Sequence, residues 1–218
     1  IALALGELGN QVVFVGGSVC PLLITDPAAF EIRATKDVDV ILDESRRSGY
    51  YKFEAELRAK KFQIAAPPIC RWKINDVIVD VMTTSRDAGG FSSRWYPLAF
   101  QTAASVDLGE GVSIRHITAP LFIATKLDAF FDRGKSDYYH HDMEDIICIV
   151  DRRGELLNEI QQTETSVRDY LAEEFQNLLE NQDFISAVPG HIEGQFKHER
   201  AQIVLGRIEQ IVKMGSTG

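Results

Sequence analysis

The chain has 218 residues, of which 45% are hydrophobic and 25% are charged, and its formal net charge is −9 at pH 7. This length suits one large domain or two small ones, and the composition is that of an ordinary soluble globular protein. The negative net charge provides no global field that attracts nucleic acid, so such binding would need a local basic patch.

The cysteine pattern and the apolar runs both favour a cytoplasmic protein. Cys20, Cys70 and Cys148 are widely spaced, odd in number and without a CxxC pairing. This pattern predicts reduced thiols and no disulfides. No apolar run approaches the roughly 18 residues that a membrane span needs, so we expect no membrane partner.

The first part of the chain alternates short apolar runs with glycine turns. An opening helix is predicted to end at Gly9-Asn10, and the β-branched run over residues 11–15 predicts a strand that leads into Gly16-Gly17-Ser18 and a short apolar helix. A loop is expected over residues 25–35, and DVDVIL, residues 37–42, predicts a second strand. A glycine turn at the start of a helix presents backbone N–H groups to which a phosphate can bind.

A helix and two hairpins complete this part. Apolar residues at helical spacing predict an amphipathic helix over residues 46–61. The runs RWKI and VIVDVM flank Asn75-Asp76, a two-residue turn that predicts a hairpin. A second hairpin is predicted from Phe100 to Thr118, with its turn at residues 108–111.

After the second hairpin the pattern is helical, without β-rich runs. Two helices are predicted to end at Gly134 and Gly154, and further helices follow with a break at Pro189-Gly190. The sequence therefore predicts an α+β fold. Residues 1–119 would form a small mixed sheet with flanking helices, and residues 120–218 an all-α helical bundle.

Three aspartates, Asp37, Asp39 and Asp80, lie in predicted strands that are otherwise rich in branched apolar residues. Alternate side chains of a strand share a face, so Asp37 and Asp39 point together. If the two strands are neighbours, all three carboxylates meet near Gly16-Gly17-Ser18. Clustered carboxylates need a cation between them, and hard oxygen ligands suit Mg²⁺ or Mn²⁺ beside a triphosphate. In a two-metal arrangement, Asp80 would bind only the ion that activates the attacking hydroxyl.

The order GGS, DVD and then an isolated aspartate in a later strand resembles the DNA polymerase β-type nucleotidyltransferase superfamily. The segment KLDAFFDRGKSDYYHHDMEDI is similar to the K-x-x-A-x-x-x-R and basic-D-x-x-D signature of AbiEii-type toxins. These are the nucleotidyltransferase halves of abortive-infection and type IV toxin–antitoxin pairs. The signature positions are Lys126, Arg133, Asp142 and Asp145, with His141 as the basic residue.

The resemblance implies a metal-dependent enzyme that moves a nucleoside monophosphate from an NTP to an acceptor hydroxyl and releases pyrophosphate. Residues 1–119 would be the catalytic core, and the helical part would contribute to the nucleotide cleft. The implied site draws on seven residues: Gly17 and Ser18 for the nucleotide phosphates, Asp37, Asp39 and Asp80 for Mg²⁺ or Mn²⁺, Lys126 for the triphosphate, and Asp142 as a further catalytic carboxylate.

The same resemblance makes the chain a candidate toxin of a toxin–antitoxin or phage-defence pair. Its acceptor would be RNA, tRNA or protein, and its partner a cognate antitoxin. Two alternatives stay open. One is a small-molecule nucleotidyltransferase of the antibiotic-modifying kind, whose cationic acceptor suits the negative net charge. The other is a nucleotide-binding regulatory module without turnover.

Simpler structural interpretations exist for the same residues. Strand acids can face water, and a glycine turn can serve only as a turn with an N-cap. Lys126 can cover the edge of a core with its aliphatic stem, and Arg133 and Asp145 can form an ion pair between helices. Adjacent residues such as His140-His141 point about 100° apart on a helix, which disfavours a metal chelate with Asp142.

Overall fold

The computed structural model describes seven parts of the chain, namely residues 1–26, 35, 37–43, 47–65, 70–85, 92–134 and 137–215. The chain divides into two compact units, one made of Ile1–Val19 with Arg33–Thr118 and the other of Cys20–Ile32 with Ala119–Gly218. Within the described residues, no helix has both the length and the apolar character that crossing a membrane requires.

The first unit is built on a mixed sheet. The described strands are β1 (Val12–Val15), β2 (Asp37–Leu42), β3 (Gln63–Ile64), β4 (Arg71–Ile74), β5 (Val77–Thr83), β6 (Ala104–Asp107) and β7 (Ser113–His116). Their spatial order is β3-β4-β5-β2-β1-β7-β6. The β2–β5 and β1–β7 pairs are parallel and the other pairs are antiparallel. The interior strand β1 is buried along its whole length, which suits its β-branched and aromatic composition.

The helices precede, connect and follow these strands. The described helices are α1 (Ala2–Leu5), α2 (Cys20–Leu23), α3 (Arg47–Ala59), α4 (Tyr96–Gln101), α5 (Ala119–Arg133), α6 (His141–Arg152), α7 (Leu156–Gln162), α8 (Thr165–Leu179), α9 (Gln182–Ala187) and α10 (Lys197–Val212). In the second unit, α5 packs against α6 and α8, and α10 packs against α8 and α6. The predicted α+β class with a mixed sheet is confirmed.

The segment that contains α2 belongs to the second unit because its backbone is bound to the end of α6. The backbone N–H groups of Thr25 and Asp26 both donate to the carbonyl oxygen of Arg152, at 3.1 and 3.0 Å. The guanidinium of Arg153 donates to the carbonyl oxygen of Leu23 at 2.6 Å. The chain therefore passes from one unit to the other directly after the glycine turn.

Several predicted elements of the first unit differ in their limits. The opening helix is short, and a 3₁₀ helix over Gly6–Gln11 replaces its second half. The helix predicted over 46–61 is confirmed as α3. The hairpins are confirmed as β4–β5 and β6–β7, but Phe100 lies in α4, which the sequence reading did not predict. The expected loop at residues 25–35 falls largely outside the described residues.

The helical segment before Pro189 contains two separate helices, α8 and α9. Asn181 starts α9, and its side-chain oxygen accepts hydrogen bonds from the backbone N–H groups of Asp183 and Phe184 at 2.9 and 3.3 Å. An asparagine in this position is a strong N-cap, and that local signal overrides the continuous apolar spacing. The break predicted at Pro189-Gly190 is a 3₁₀ turn over Val188–His191.

Candidate active site

The three aspartates of the first unit lie on one face of the sheet. Asp39 of β2 is directly opposite Asp80 of the parallel strand β5, and Asp37 is two residues earlier on β2. Partners in adjacent strands share a face and lie about 5 Å apart. The two strands are therefore neighbours, which is the condition under which the sequence brings the three carboxylates together. Asp37 and Asp39 are half-buried, and Asp80 is buried.

The glycine turn lies against the second of these aspartates. Val15, the last residue of β1, is paired with Asp39, and Gly16 follows it with a φ of +68°. A Cβ atom on Gly16 would lie only 1.9 Å from Oδ2 of Asp39. Both the positive φ and this close approach require glycine. The sequence therefore brings the turn and the carboxylate into contact through the register of β1 and β2.

Gly17 and Ser18 form the start of a 3₁₀ helix over Gly17–Val19, which continues into α2. The hydroxyl of Ser18 donates a long hydrogen bond of 3.4 Å to the carbonyl oxygen of Val15. Gly17 and Ser18 directly follow Gly16, and their 3₁₀ helix packs against β2, the strand that carries Asp39. This arrangement is of the kind that binds phosphate oxygens.

Asp80 is held by an arginine from the neighbouring strand. Arg71 of β4 is opposite Asp80 in the antiparallel β4–β5 pair. Its Nε donates to Oδ1 at 2.8 Å and its Nη2 donates to Oδ2 at 2.6 Å, which is a bidentate pair. The hydrogen bonds to Asp80, with further attraction from Asp80 and Asp37, raise the pKa of the Arg71 guanidinium above its ordinary value.

The donor set fits a hard divalent cation. Among the described residues of this face, three carboxylates outnumber the two cationic side chains of Arg71 and Lys73, so negative charge is in excess. Carboxylate oxygens are the ligands that Mg²⁺ and Mn²⁺ prefer. Asp37, Asp39 and Asp80 can supply such ligands, and both oxygens of Asp80 are bonded to Arg71 in this structure.

A second cluster of charged residues lies within the helical unit. Lys126 of α5 places its Nζ 3.0 Å from Oδ1 of Asp142 and 2.6 Å from Oδ2 of Asp145, both on α6. Arg133 donates from Nε and Nη2 to the two oxygens of Asp142, each at 3.0 Å. The four signature positions of the sequence therefore form one ion cluster. Asp142 is completely buried, and the side chain of Lys126 is only 9% exposed.

The ion pairs of this cluster outweigh the cost of burial. Burial lowers the pKa of Lys126, but the carboxylates of Asp145 and Asp142 raise it above its ordinary value. Burial likewise raises the pKa of Asp142, but hydrogen bonds from Arg133 and the charge of Lys126 bring it below its ordinary value. Lys126 and Asp142 are thus both stabilised in their charged forms.

The two histidines at the start of α6 also lie beside Asp142. Nδ1 of His140 is 3.3 Å from a carboxylate oxygen of Asp142 and from its backbone nitrogen, and Nε2 of His141 is 3.6 Å from the other oxygen. Three potential metal ligands are therefore close together. The carboxylate is already paired with Lys126 and Arg133, whose charges would repel a metal ion. We assign His140 to capping the helix.

The structure divides the predicted site residues between the two units. Gly17, Ser18, Asp37, Asp39 and Asp80 belong to the first unit, and Lys126 and Asp142 belong to the second. The sequence analysis placed Gly16 in the glycine turn but gave it no role of its own, and it missed Arg71. Arg71 could have been found, because the two-residue turn at Asn75-Asp76 pairs Ile74 with Val77 and hence Arg71 with Asp80.

Comparisons with known proteins give matches to solved structures. An antigenic nucleotidyltransferase-like protein from Paracoccidioides brasiliensis is 19% identical, with 85% of this chain and 87% of that chain covered and a TM-score of 0.48. JHP933 from Helicobacter pylori is 14% identical, with 96% and 88% covered and a TM-score of 0.48. The antibiotic-resistance factor ANT(2'')-Ia is 15% identical, with 68% and 78% covered and a TM-score of 0.44. No family model matches the chain, and no curated protein does.

Proposed function

We propose that this protein is a nucleotidyltransferase that uses a divalent cation to move a nucleoside monophosphate from an NTP to an acceptor hydroxyl. The observation that supports this most strongly is the alignment of Asp39 and Asp80 on one face of the sheet, with Asp37 beside them and Gly16 in contact with Asp39. The stability of the fold does not require three aspartates to lie together beside a glycine turn, so their arrangement favours a function.

In this proposal Asp37, Asp39 and Asp80 hold the cation, Mg²⁺ or Mn²⁺. A bound cation of this kind neutralises phosphate charge and activates a hydroxyl as a nucleophile. Gly17 and Ser18 bind the nucleotide phosphates through backbone N–H groups and the Ser18 hydroxyl. Gly16 keeps the turn close to Asp39, so that phosphate and carboxylates are held near one another. Pyrophosphate is the leaving group.

Beyond nucleotidyl transfer in general, we propose that the protein is a toxin. We propose an acceptor in RNA, tRNA or protein and a cognate antitoxin as partner, and the support for both is the AbiEii-type sequence signature alone. The roles of Lys126 at the triphosphate and of Asp142 as a catalytic carboxylate stay predictions. The four signature residues form one ion cluster, which supports the proposal that they act together.

The experiment follows the transfer of label from each of four α-³²P NTPs, with Mg²⁺ or Mn²⁺, onto separate RNA, protein and small-molecule fractions. The variants Asp37→Asn and Asp39→Asn should lower transfer at least about 100-fold, because each removes charge from the reacting site. Asp76→Asn is the matched control, since it removes an exposed carboxylate from the β4–β5 turn of the same unit. It should keep full transfer.

The labelled fraction identifies the acceptor class. Label on RNA or protein supports the toxin assignment, and label on a cationic small molecule supports the antibiotic-modifying alternative. Binding of an NTP without release of pyrophosphate would support the regulatory module. The proposal is wrong if folded wild-type protein transfers no label to any fraction with either cation.

A further inference from the structure

Arg71 is bound to one of the three carboxylates of the acidic face, by which we mean the face of the sheet that carries Asp37, Asp39 and Asp80. Arg71 forms two charged hydrogen bonds with Asp80, one to each carboxylate oxygen. A bidentate guanidinium uses the same favourable positions on the carboxylate that a metal ion would use. A cation that approaches Asp80 therefore meets a resident positive charge on that carboxylate.

We infer that Arg71 is a competing counterion, which must leave Asp80 before that carboxylate can bind a divalent cation. The inference rests on the proposed function and assigns a positioning role to a residue outside the sequence motifs. A cation that uses Asp80 as a ligand binds more weakly than it would without Arg71, because it has to displace the guanidinium.

The exposures of the two partners indicate which of them moves. The Arg71 side chain is 36% exposed, whereas the Asp80 side chain is 13% exposed. Arginine is long and has many rotamers, and a partly exposed guanidinium regains hydration when it leaves its partner. Asp80 is fixed by its position in β5, between β4 and β2. Exchange therefore needs a rotamer change of Arg71 and no change of the sheet.

Lys73 provides a matched control on the same face. It lies two residues from Arg71 on β4 and is opposite Ile78, not Asp80. Its amine is 3.3 Å from Asp76, an exposed residue of the turn. Removing Lys73 changes the local charge by the same amount as removing Arg71. The comparison separates specific competition at Asp80 from a general increase in negative potential.

The experiment is a titration of metal-free protein with Mn²⁺ alone, in which electron paramagnetic resonance measures the free ion. We expect Arg71→Gln to increase the affinity for the Mn²⁺ that uses Asp80 by about tenfold or more, because the charged hydrogen bonds that this ion would otherwise have to break are worth more than one factor of ten in binding. Arg71→Lys should bind Mn²⁺ more weakly than Arg71→Gln because it retains the charge. Lys73→Gln should change the affinity by less than about threefold.

The double variant Arg71→Gln/Asp80→Asn tests the route of the effect. If Arg71 competes at Asp80, the gain in affinity disappears in the Asp80→Asn background. A second readout is the rise of the unfolding temperature on addition of Mn²⁺, which should be larger for Arg71→Gln than for wild type. This difference is measured within each variant, so it stands even if Arg71→Gln is less stable without metal.

The outcomes separate this inference from the proposed function. Unchanged or weaker Mn²⁺ binding in Arg71→Gln, or a gain that persists without Asp80, overturns the counterion role but leaves binding at Asp37 and Asp39 intact. If neither wild type nor Arg71→Gln binds Mn²⁺, both the counterion role and the metal-dependent function are wrong. A gain that requires Asp80 supports both.

Discussion

Replacing Lys126 with methionine tests whether the buried ion cluster stabilises the helical unit. Methionine keeps much of the aliphatic volume but removes the charge that lies between Asp142 and Asp145. Asp142 would retain Arg133, but Asp145 would lose its 2.6 Å partner in a buried position. Breaking a buried ion pair by removing one partner costs about 3–5 kcal/mol.

For a chain of this size each kcal/mol corresponds to about 2–4 °C in the unfolding midpoint, so we expect a fall of roughly 6–20 °C. Far-ultraviolet circular dichroism follows the helical transition during heating. The matched control is Lys197→Met, which removes an exposed lysine from α10 of the same unit. That control should stay within about 2 °C of wild type, as is usual for surface substitutions.

A stability deficit within about 1 kcal/mol of the Lys197→Met control would refute the argument that the charge of Lys126 stabilises the helical unit.

Three further predictions concern single positions. Gly16→Ala should lower stability by about 1–3 kcal/mol and abolish nucleotidyl transfer, because the new Cβ atom would displace Asp39. Gly111 has a similar φ of +76° but open space around it, so Gly111→Ala should keep transfer. The lowered pKa of Asp142 means that its ionised form stabilises the fold, so denaturant titrations should show stability falling below about pH 4, and Asp142→Asn should flatten that fall. A hydrogen bond from a neighbouring thiol lowers the pKa of the half-buried Cys148, so mass spectrometry should find Cys148 alkylated ahead of the fully buried cysteines.

The acidic face could be predicted because it depends on local rules. Alternation of side chains along β2 is enough to place Asp37 and Asp39 on one face. The hairpin turn at Asn75-Asp76 is enough to fix the register of β4 against β5, and with it the pair of Arg71 and Asp80. Both results need only short stretches of sequence.

The remaining geometry depends on pairings between distant segments. The opposition of Asp39 and Asp80 follows from the parallel pair β2–β5, whose long connection leaves the register undetermined in the sequence. The contact of Gly16 with Asp39 follows in the same way from the antiparallel pair β1–β2. In the helical unit, the sequence signature contains two basic and two acidic residues. Which acids pair with Lys126 is determined by the packing of α5 on α6, which the sequence alone does not give.

Burial distinguishes two carboxylate–cation arrangements that look alike in sequence. Lys126 is enclosed between two acids with little exposure, so its pairs cannot exchange with solvent ions without opening the helical unit. Arg71 is partly exposed, so its pair with Asp80 can exchange while the sheet stays intact. Substitution of Lys126 should therefore change stability strongly, and substitution of Arg71 should change Mn²⁺ affinity more than stability. If Arg71→Gln lowered the unfolding temperature as much as Lys126→Met, the Arg71–Asp80 pair would be a structural link and not an exchangeable counterion.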